Sequence, residues 1–432
     1  MKRSTRSTSV GPSIFPVFLL LVLGASPSSG ETVPEPFELA WALARAAEVN
    51  PAIAVRTAAR DAARARSRTV GRLDDPRIAY EASNIPVKDW DFDSTPLSGH
   101  QLGLRQKLPF PGVLSNRSGA AEAGYLASRF ELDDRRLAVA GAVERAWAEL
   151  GFAQRALAIT RRNIELLRHL ATIAETRYRV GDGLQQDVLR ARVELTSLLQ
   201  EQLARRASVA TAEARLAELL DLPATTAFPA TASLAEPVPV PAVAPLLEEL
   251  PSRSPHLQAL AARIVEAERR ARVARFEGLP DFDLGVGYRI RREVPGDAVE
   301  GDDFFSAGVT VRLPVDRRKW NARLAEAHAE KRRAEAVYRG GVASMRARVR
   351  EAHAELVRAD AEGRLVETGL LPQAAQSLES SRSGYEVGRV GFLELLDSQV
   401  SLLTAELRLA RALADRRAAF AALETSAGEK LR

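Results

Sequence analysis

An internal duplication limits the possible folds of this chain more than any other sequence feature. Four landmarks recur in the same order at nearly one spacing along the 432 residues. They are Asn50-Pro51 with Ser254-Pro255, Pro76 with Pro280, Leu108-Pro109 with Leu313-Pro314, and Tyr178-x-Val180-Gly181 with Tyr385-x-Val387-Gly388, at offsets of 204, 204, 205 and 207 residues. Ordered matches at one offset indicate that one structural plan is built two times.

We therefore predict a first repeat at 31–222 and a second repeat at 255–432. The connector between them, at 223–254, is rich in proline and alanine, which predicts a mostly irregular segment. Each repeat begins with an alanine- and arginine-rich helix, predicted at about 37–70 and about 255–276.

Two strands follow that helix in each repeat. Apolar residues alternate with polar or small ones through 77–83, 101–108, 282–290 and 305–313. A period of two predicts strands, and segments of this length are typical of membrane barrels. Two hairpins of a soluble sheet would give the same pattern, so the alternation alone leaves both interpretations open.

A very long helix comes next. No proline occurs from Gly112 to Leu222, and apolar residues in this stretch recur every seven positions. The two recurring sets are Val143, Leu150, Leu157, Ile164, Ala171 and Tyr178, and then Ala146, Ala153, Thr160, Leu167 and Ala174. Heptads with small residues at one position predict closely packed helices. From Gly112 to Tyr178 the helix would rise about 100 Å, more than a globular core needs.

The second repeat has its long helix at about 317–385, where Pro372 has no counterpart in the first repeat and predicts a local bend. Both long helices end at the Tyr-x-Val-Gly turn, whose glycine is the expected cap of a helix C-terminus. A further helix starts at once after each turn, predicted at 185–220 and 392–424.

The N-terminus is typical of an export signal. Lys2, Arg3 and Arg6 form a basic region, Ile14–Leu23 is a short apolar run, and small residues follow at 24–30. We therefore predict a cleaved signal peptide at 1–30. No later stretch approaches the ~20 apolar residues of a spanning helix, so any entry into a membrane is expected to use β-strands.

Composition argues against several functional classes. The chain has no cysteine, and its five histidines show no metal-ligand spacing. Without the three basic residues of the signal, 58 basic and 56 acidic residues remain, a net charge of +2, so nucleic acid is not an expected partner. The sequence shows no recognisable spacing of a catalytic nucleophile, a base and a group that orients the base. We therefore expect no enzyme, no cofactor and no metal site.

Four strands per chain are too few to close a barrel. The smallest membrane barrels have about eight strands, and open strand edges are not tolerated in hydrocarbon. Strands in a membrane would therefore require the chain to oligomerise. Two copies supply eight strands and three supply twelve, and because eight strands fill their own interior, a conducting pore favours three or more copies.

Together these features resemble the TolC family of outer-membrane efflux proteins. The segments Leu371-Pro-Gln-Ala-Ala-Gln-Ser-Leu and Tyr385-Glu-Val-Gly-Arg-Val-Gly-Phe-Leu-Glu-Leu-Leu-Asp-Ser-Gln are its most recognisable parts, and the resemblance extends from about Glu38 to the C-terminus. It implies a mainly α fold with a small β part, in which duplicated very long helical hairpins form an α-barrel. It also implies that four strands per protomer contribute to a twelve-stranded membrane β-barrel of a homotrimer.

The resemblance further implies a place and partners for the protein. It would be an outer-membrane channel with its helical barrel in the periplasm, in contact with outer-membrane lipid. It would dock to a periplasmic adaptor (membrane fusion protein) of an inner-membrane pump, as the exit duct of a tripartite efflux or secretion system.

Residue roles carry over at the two turns, which in the family form the gated periplasmic end. Tyr385 matches the gate tyrosine, and Glu394 and Asp397 match two acids that ring the aperture, with Glu394 standing where some members have aspartate. Asp187 matches an acid of the first repeat. Val390 stands where some members have a basic gate residue, so a salt-bridge latch through that position is absent.

The tip glycines Gly181, Gly183, Gly388 and Gly391 are implied adaptor contacts, because small residues let a partner helix approach closely. They would serve equally as plain turn glycines, just as Glu394 and Asp397 would serve as a solvated helix face.

The transported substrate is less defined. The segments Leu108–Gly112 and Leu371–Ser377 look closer to the heavy-metal efflux branch, so metal-ion or RND-type efflux is favoured over drugs or other small molecules. The alternative function is an exported coiled-coil protein that bridges periplasmic partners without channel activity. A periplasmic adaptor is a further alternative, but it would need a β-domain between two helices that this sequence lacks.

Overall fold

The computed structural model describes residues 33–88, 90–91, 94–234 and 240–431. The predicted signal peptide lies outside these residues. The helices are α1 (Leu39–Val49), α2 (Pro51–Thr69), α3 (Val113–Arg179), α4 (Gln185–Leu219), α5 (Val243–Arg253), α6 (Pro255–Glu277), α7 (Arg317–Leu365), α8 (Leu371–Glu386) and α9 (Phe392–Ala427). The strands are β1 (Arg77–Ser83), β2 (Gly99–Leu108), β3 (Asp281–Ile290) and β4 (Phe304–Arg312). The predicted order of helix, hairpin, long helix, turn and helix is therefore present in both repeats.

The first helix of the first repeat differs from its prediction, because the predicted single helix at 37–70 is two helices. Asn50 adopts extended backbone between α1 and α2, as the residue before a proline prefers. Its side chain accepts a hydrogen bond from the Ala52 N–H at 3.0 Å and donates to the Leu219 carbonyl at 2.9 Å. Asn50 thus caps α2 and joins it to the end of α4.

The connector contains one helix that the prediction did not include, although most of its described residues are irregular, as expected. Helix α5 occupies 11 of its residues and buries Leu246 and Leu250. It stands directly before the Ser254-Pro255 start of α6, as α1 stands before Asn50-Pro51. The duplication therefore includes this short helix.

The predicted disturbance at Pro372 is a π-helical turn over Val366–Leu370. The Leu371 N–H donates to the Val366 carbonyl, five residues back, immediately before the proline. A wider turn accommodates the missing proline N–H and the bulk of its ring. The turn separates α7 from α8.

Helix α3 is the central element of the fold. It contains 67 residues and packs against α2, α4, α6 and α9. One of the two predicted heptad sets is buried along its whole length, namely Ala146, Ala153, Thr160, Leu167 and Ala174. In the other set Val143, Leu150 and Ile164 are buried, whereas Tyr178 at the end is 45% exposed.

The four strands form one antiparallel sheet in the order β1-β2-β3-β4. Tyr80, Leu102, Tyr288 and Phe305 stand at one level of the register, so the apolar residues of all four strands share a face. This face is open to the surroundings, with Ile78 75% exposed, Phe305 71% and Val309 63%. The opposite face carries Arg77, Glu81, Arg105, Asp283 and Arg312.

Candidate functional site

The two Tyr-x-Val-Gly turns have the same backbone geometry. Gly181 has φ of 88° and Gly388 has φ of 74°, in the left-handed region that favours glycine. In the first turn the Asp182 N–H donates to the Arg177 carbonyl at 2.9 Å, and in the second the Arg389 N–H donates to the Gly384 carbonyl at 2.8 Å. Both bonds span five residues and close the helix C-termini in the same way.

Positive φ does not explain the other two tip glycines, Gly183 and Gly391. A Cβ on Gly183 would lie 3.0 Å from the Arg177 Cβ, so this glycine permits a close approach within the turn. Gly391 is the residue before α9, and its N–H donates to the Glu394 carboxylate at 2.7 Å. Gly181, by contrast, has open space at the position of a Cβ.

Tyr385 is buried within its own protomer. Its side chain is 4% exposed and its ring lies 5.4 Å from the ring of Phe392. Its hydroxyl has no hydrogen-bond partner among the described residues. Burial raises the pKa of the hydroxyl, the Asp187 carboxylate raises it further, and Arg177 opposes them. Tyr385 and Asp187 therefore belong to one electrostatic environment.

The three candidate acids lie near the start of two helices, Asp187 and Glu394 in a first turn and Asp397 in a second turn. Asp187 is half-buried in the first turn of α4, where the helix dipole favours a carboxylate. Glu394 and Asp397 are both exposed, and their spacing of three places them on one side of α9. No hydrogen bond or ion pair joins Glu394 or Asp397 to Asp187 or Tyr385 in the described part of the chain. Glu394 also caps α9 through Gly391, so it has a structural role as well.

One residue at this site was missed by the sequence analysis. Arg177, in the last turn of α3, stacks over the ring of Tyr385 with its Cζ 4.8 Å from the ring centroid. It also donates a hydrogen bond to the Tyr385 carbonyl. The corresponding residue of the second repeat is Gly384. An arginine in one repeat and a glycine in the other, directly before the shared tyrosine, is the sequence difference that could have pointed to Arg177.

Comparison with known proteins decides the family. The profile of the outer membrane efflux protein family matches residues 42–221 and again 246–429, one match for each repeat. The chain belongs to the outer membrane efflux protein family.

Individual relatives agree with this membership. Protein CyaE of Bordetella pertussis is 30% identical over 231 residues, 51% of this chain and 49% of CyaE. The cobalt-zinc-cadmium resistance protein CzcC of Cupriavidus metallidurans is 23% identical over 316 residues, 73% of each chain. The outer-membrane channel OprN has the same fold, with a TM-score of 0.76 at 20% identity over 90% of this chain and 89% of OprN. The match with CyaE thus spans about half of that protein.

The predictions of a TolC-type fold, of an outer membrane efflux protein and of an outer-membrane location are confirmed by the family and by this structural likeness. In the described residues, no helix combines the length and apolar character needed to span a bilayer. Nor do the described residues bring three or more metal-ligating side chains together.

Proposed function

We propose that three copies of this efflux family member form the exit duct of a tripartite efflux or secretion system. The duct is a passive conduit without a catalytic site. It is gated at its periplasmic tips, where Asp187, Tyr385, Glu394 and Asp397 lie, and Gly181, Gly183, Gly388 and Gly391 contact the adaptor. Its other partners are an inner-membrane pump and outer-membrane lipid, and nucleic acid is not among them.

One observation carries the proposal: a four-stranded sheet with an exposed apolar face stands at one end of a very long helical body. Along β3 this face runs from Phe282 to Ile290, about 27 Å of extended chain, which is close to the ~25 Å apolar band of membrane barrels. Strands β1 and β4 are at the edges of the sheet. Hydrocarbon does not satisfy edge hydrogen bonds, so the β4 edge of one protomer pairs with the β1 edge of the next.

The proposed number of copies follows from the space inside the β-barrel. Two copies would give eight strands, whose side chains fill the enclosed space, whereas three give twelve strands and an open lumen. Outer-membrane fractionation followed by native mass measurement of the detergent-extracted protein tests this directly. We expect a species of three protomers. A periplasmic monomer or dimer would overturn the proposal and favour the coiled-coil bridging protein.

The gate is proposed at the narrow periplasmic end. Three copies each of Glu394 and Asp397 facing a small aperture would repel one another and attract cations. Tyr385 does not face that aperture in the resting protomer, because it is buried against Phe392. We therefore assign the acids to the ion pathway and Tyr385 to the packing that holds α8 and α9 in place.

Neutralising both acids should open the resting gate and weaken its preference for cations. We expect Glu394→Gln with Asp397→Asn to raise the resting conductance several-fold in planar bilayers and to lower the cation preference measured from reversal potentials. Glutamine at 394 still accepts the Gly391 N–H, so the cap of α9 is retained. The matched control is Glu326→Gln with Glu351→Gln, two exposed acids of α7. Equal recordings from the two double variants would contradict the gate assignment.

Metal ions are the substrate class that we propose. The relative CzcC, which has the name of a cobalt-zinc-cadmium resistance protein, supports this choice. The duct itself needs no metal-binding site, because a passive conduit does not select by coordination. Drugs or other small molecules are the alternative cargo.

A further inference from the structure

Arg177 connects the two turns of one protomer. Its Nη2 donates to the Asp182 carbonyl at 3.2 Å in the first turn, and its Nη1 donates to the Tyr385 carbonyl in the second. Arg177 and Tyr385 are 208 residues apart in the chain. A single guanidinium therefore joins two segments that otherwise belong to separate helical hairpins.

The chemistry of this contact suits arginine in particular. The last carbonyls of a helix lack intrahelical partners and carry the negative end of the helix dipole. Tyr385 supplies such a carbonyl in the last turn of α8, and Asp182 supplies a turn carbonyl beyond the end of α3. A planar guanidinium can donate to two carbonyls and stack on an aromatic ring at the same time, which a lysine ammonium cannot do. Arg177 makes all three contacts, with its Cζ 4.8 Å from the centroid of the Tyr385 ring.

Only the first turn supplies an arginine of this kind, and the second turn has no equivalent residue. Gly384 holds the position that corresponds to Arg177, and a Cβ there would lie 2.5 Å from the Val390 Cγ2. The second turn is thus packed too tightly to carry an equivalent arginine. Val390 fills this space with an apolar side chain, at the position where the sequence analysis found no basic gate residue. The cation between the turns comes from the first repeat instead.

We infer that Arg177 is a positioning residue that fixes the resting place of the second turn, and with it the start of α9 that carries Glu394 and Asp397. The inference rests on the proposed gate, because only a gated tip gives this resting place a functional meaning. The Tyr385 hydroxyl takes no part, since the contacts use the ring and the backbone carbonyl.

The test compares Arg177→Gln with Arg179→Gln, which removes the same charge from an exposed residue of the same turn. Hydrogen exchange of the full-length trimer is read over 378–391. We expect Arg177→Gln to exchange about tenfold faster there, because a hydrogen bond from a charged donor shifts a local opening equilibrium by at least that factor. Arg177→Lys should be intermediate, and it serves as the test variant if the glutamine variant yields no trimer. Tyr385→Phe should match the unmodified protein.

Bilayer recordings of the same variants give the functional readout. Arg177→Gln should raise the resting conductance several-fold while the cation preference stays unchanged, because the acids remain in place. Exchange equal to that of Arg179→Gln would overturn the inference whatever the gate does. Faster exchange with unchanged conductance, in a protein whose gate responds to Glu394→Gln with Asp397→Asn, would overturn it too. If those acid substitutions have no effect, the proposed gate fails, and hydrogen exchange alone decides whether Arg177 holds the turn.

Discussion

Val309→Arg should prevent stable insertion of the protein into the outer membrane, whereas Thr310→Arg, one residue further on, should not. Val309 lies near the middle of the exposed apolar face of the sheet, and Thr310 lies on the opposite face. Arginine on the lipid side of a membrane barrel costs about 2–4 kcal/mol at the bilayer midplane, whereas substitutions on the lumen side act on selectivity and face water. A trimer carries the penalty three times.

The two substitutions form a matched pair. Valine and threonine have nearly the same shape, and both positions are exposed in the isolated chain. Thr310 also stands beside Asp283 in the register, so an arginine there finds a carboxylate. The measurement is the amount of trimer recovered from the outer-membrane fraction. If the sheet were surrounded by water, both arginines would be tolerated equally, and that result would contradict the membrane assignment.

Features with a strong local cause could be predicted from the sequence. The strands alternate over 7 to 10 residues, and their observed bounds differ from the prediction by two residues at most. Helix α3 begins directly after Gly112 and ends just before Gly181, both of which have positive φ. Each of these signals depends on a few neighbouring residues and on a simple period, so no tertiary information was needed.

The break at Asn50 had a local signal that the prediction did not use. Asn50-Pro51 and Ser254-Pro255 are both a capping residue followed by proline, which is the usual start of a helix. The second pair was interpreted as a helix start, but alanine and arginine on both sides of the first pair suggested one continuous helix. Helix α5 is the opposite case, a helix that the prediction did not include. Pro245 and Pro251 suggested irregular chain there, although both lie near the ends of the helix.

The contacts of Arg177 had no local signal that identified their partner. Tyr385 is 208 residues away, and its position beside α3 depends on how the two repeats pack together. The sequence analysis placed the turns, the glycines and the acids at the tip. It did not show that the tyrosine is buried within its own protomer, because burial at the end of a helical hairpin depends on the neighbouring hairpin.

A buried charge cluster near the C-terminus was equally hidden from the sequence. Glu144 of α3 is 1% exposed and Glu424 of α9 is 3% exposed. Lys430 contacts both, with its Nζ 2.7 Å from the Glu424 carboxylate, and Arg417 lies 3.4 Å from Glu144. The Leu431 N–H donates to Glu424 at 2.9 Å. The last residues of the described chain thereby hold the middle of α3 against α9.

Lys430→Met should lower the free energy of unfolding by about 3 kcal/mol, because it strips two buried carboxylates of a cation, although the Lys430 side chain itself is 35% exposed. Here two carboxylates lose their shared cation, and only Arg417 remains as a cation within 4.0 Å of Glu144 in the described structure. The measurement is the denaturant midpoint of the detergent-solubilised trimer, followed by far-UV circular dichroism. Lys331→Met is the matched control, since Lys331 pairs with Glu335 at 3.7 Å on the surface. Its loss should stay below about 0.5 kcal/mol.

The double variant Lys430→Met with Glu424→Gln separates charge from packing. If the destabilisation arises from a stranded carboxylate, neutralising Glu424 should restore a large part of the lost stability, although each single substitution is harmful. If Lys430 acts only through the packing of its aliphatic stem, the second substitution should add to the loss instead. A recovery would show that the middle of α3 and the C-terminal end of α9 are joined by paired charge. The two repeats would then be fixed to each other there, which leaves the turns at the periplasmic end as the part of the hairpins with freedom to move.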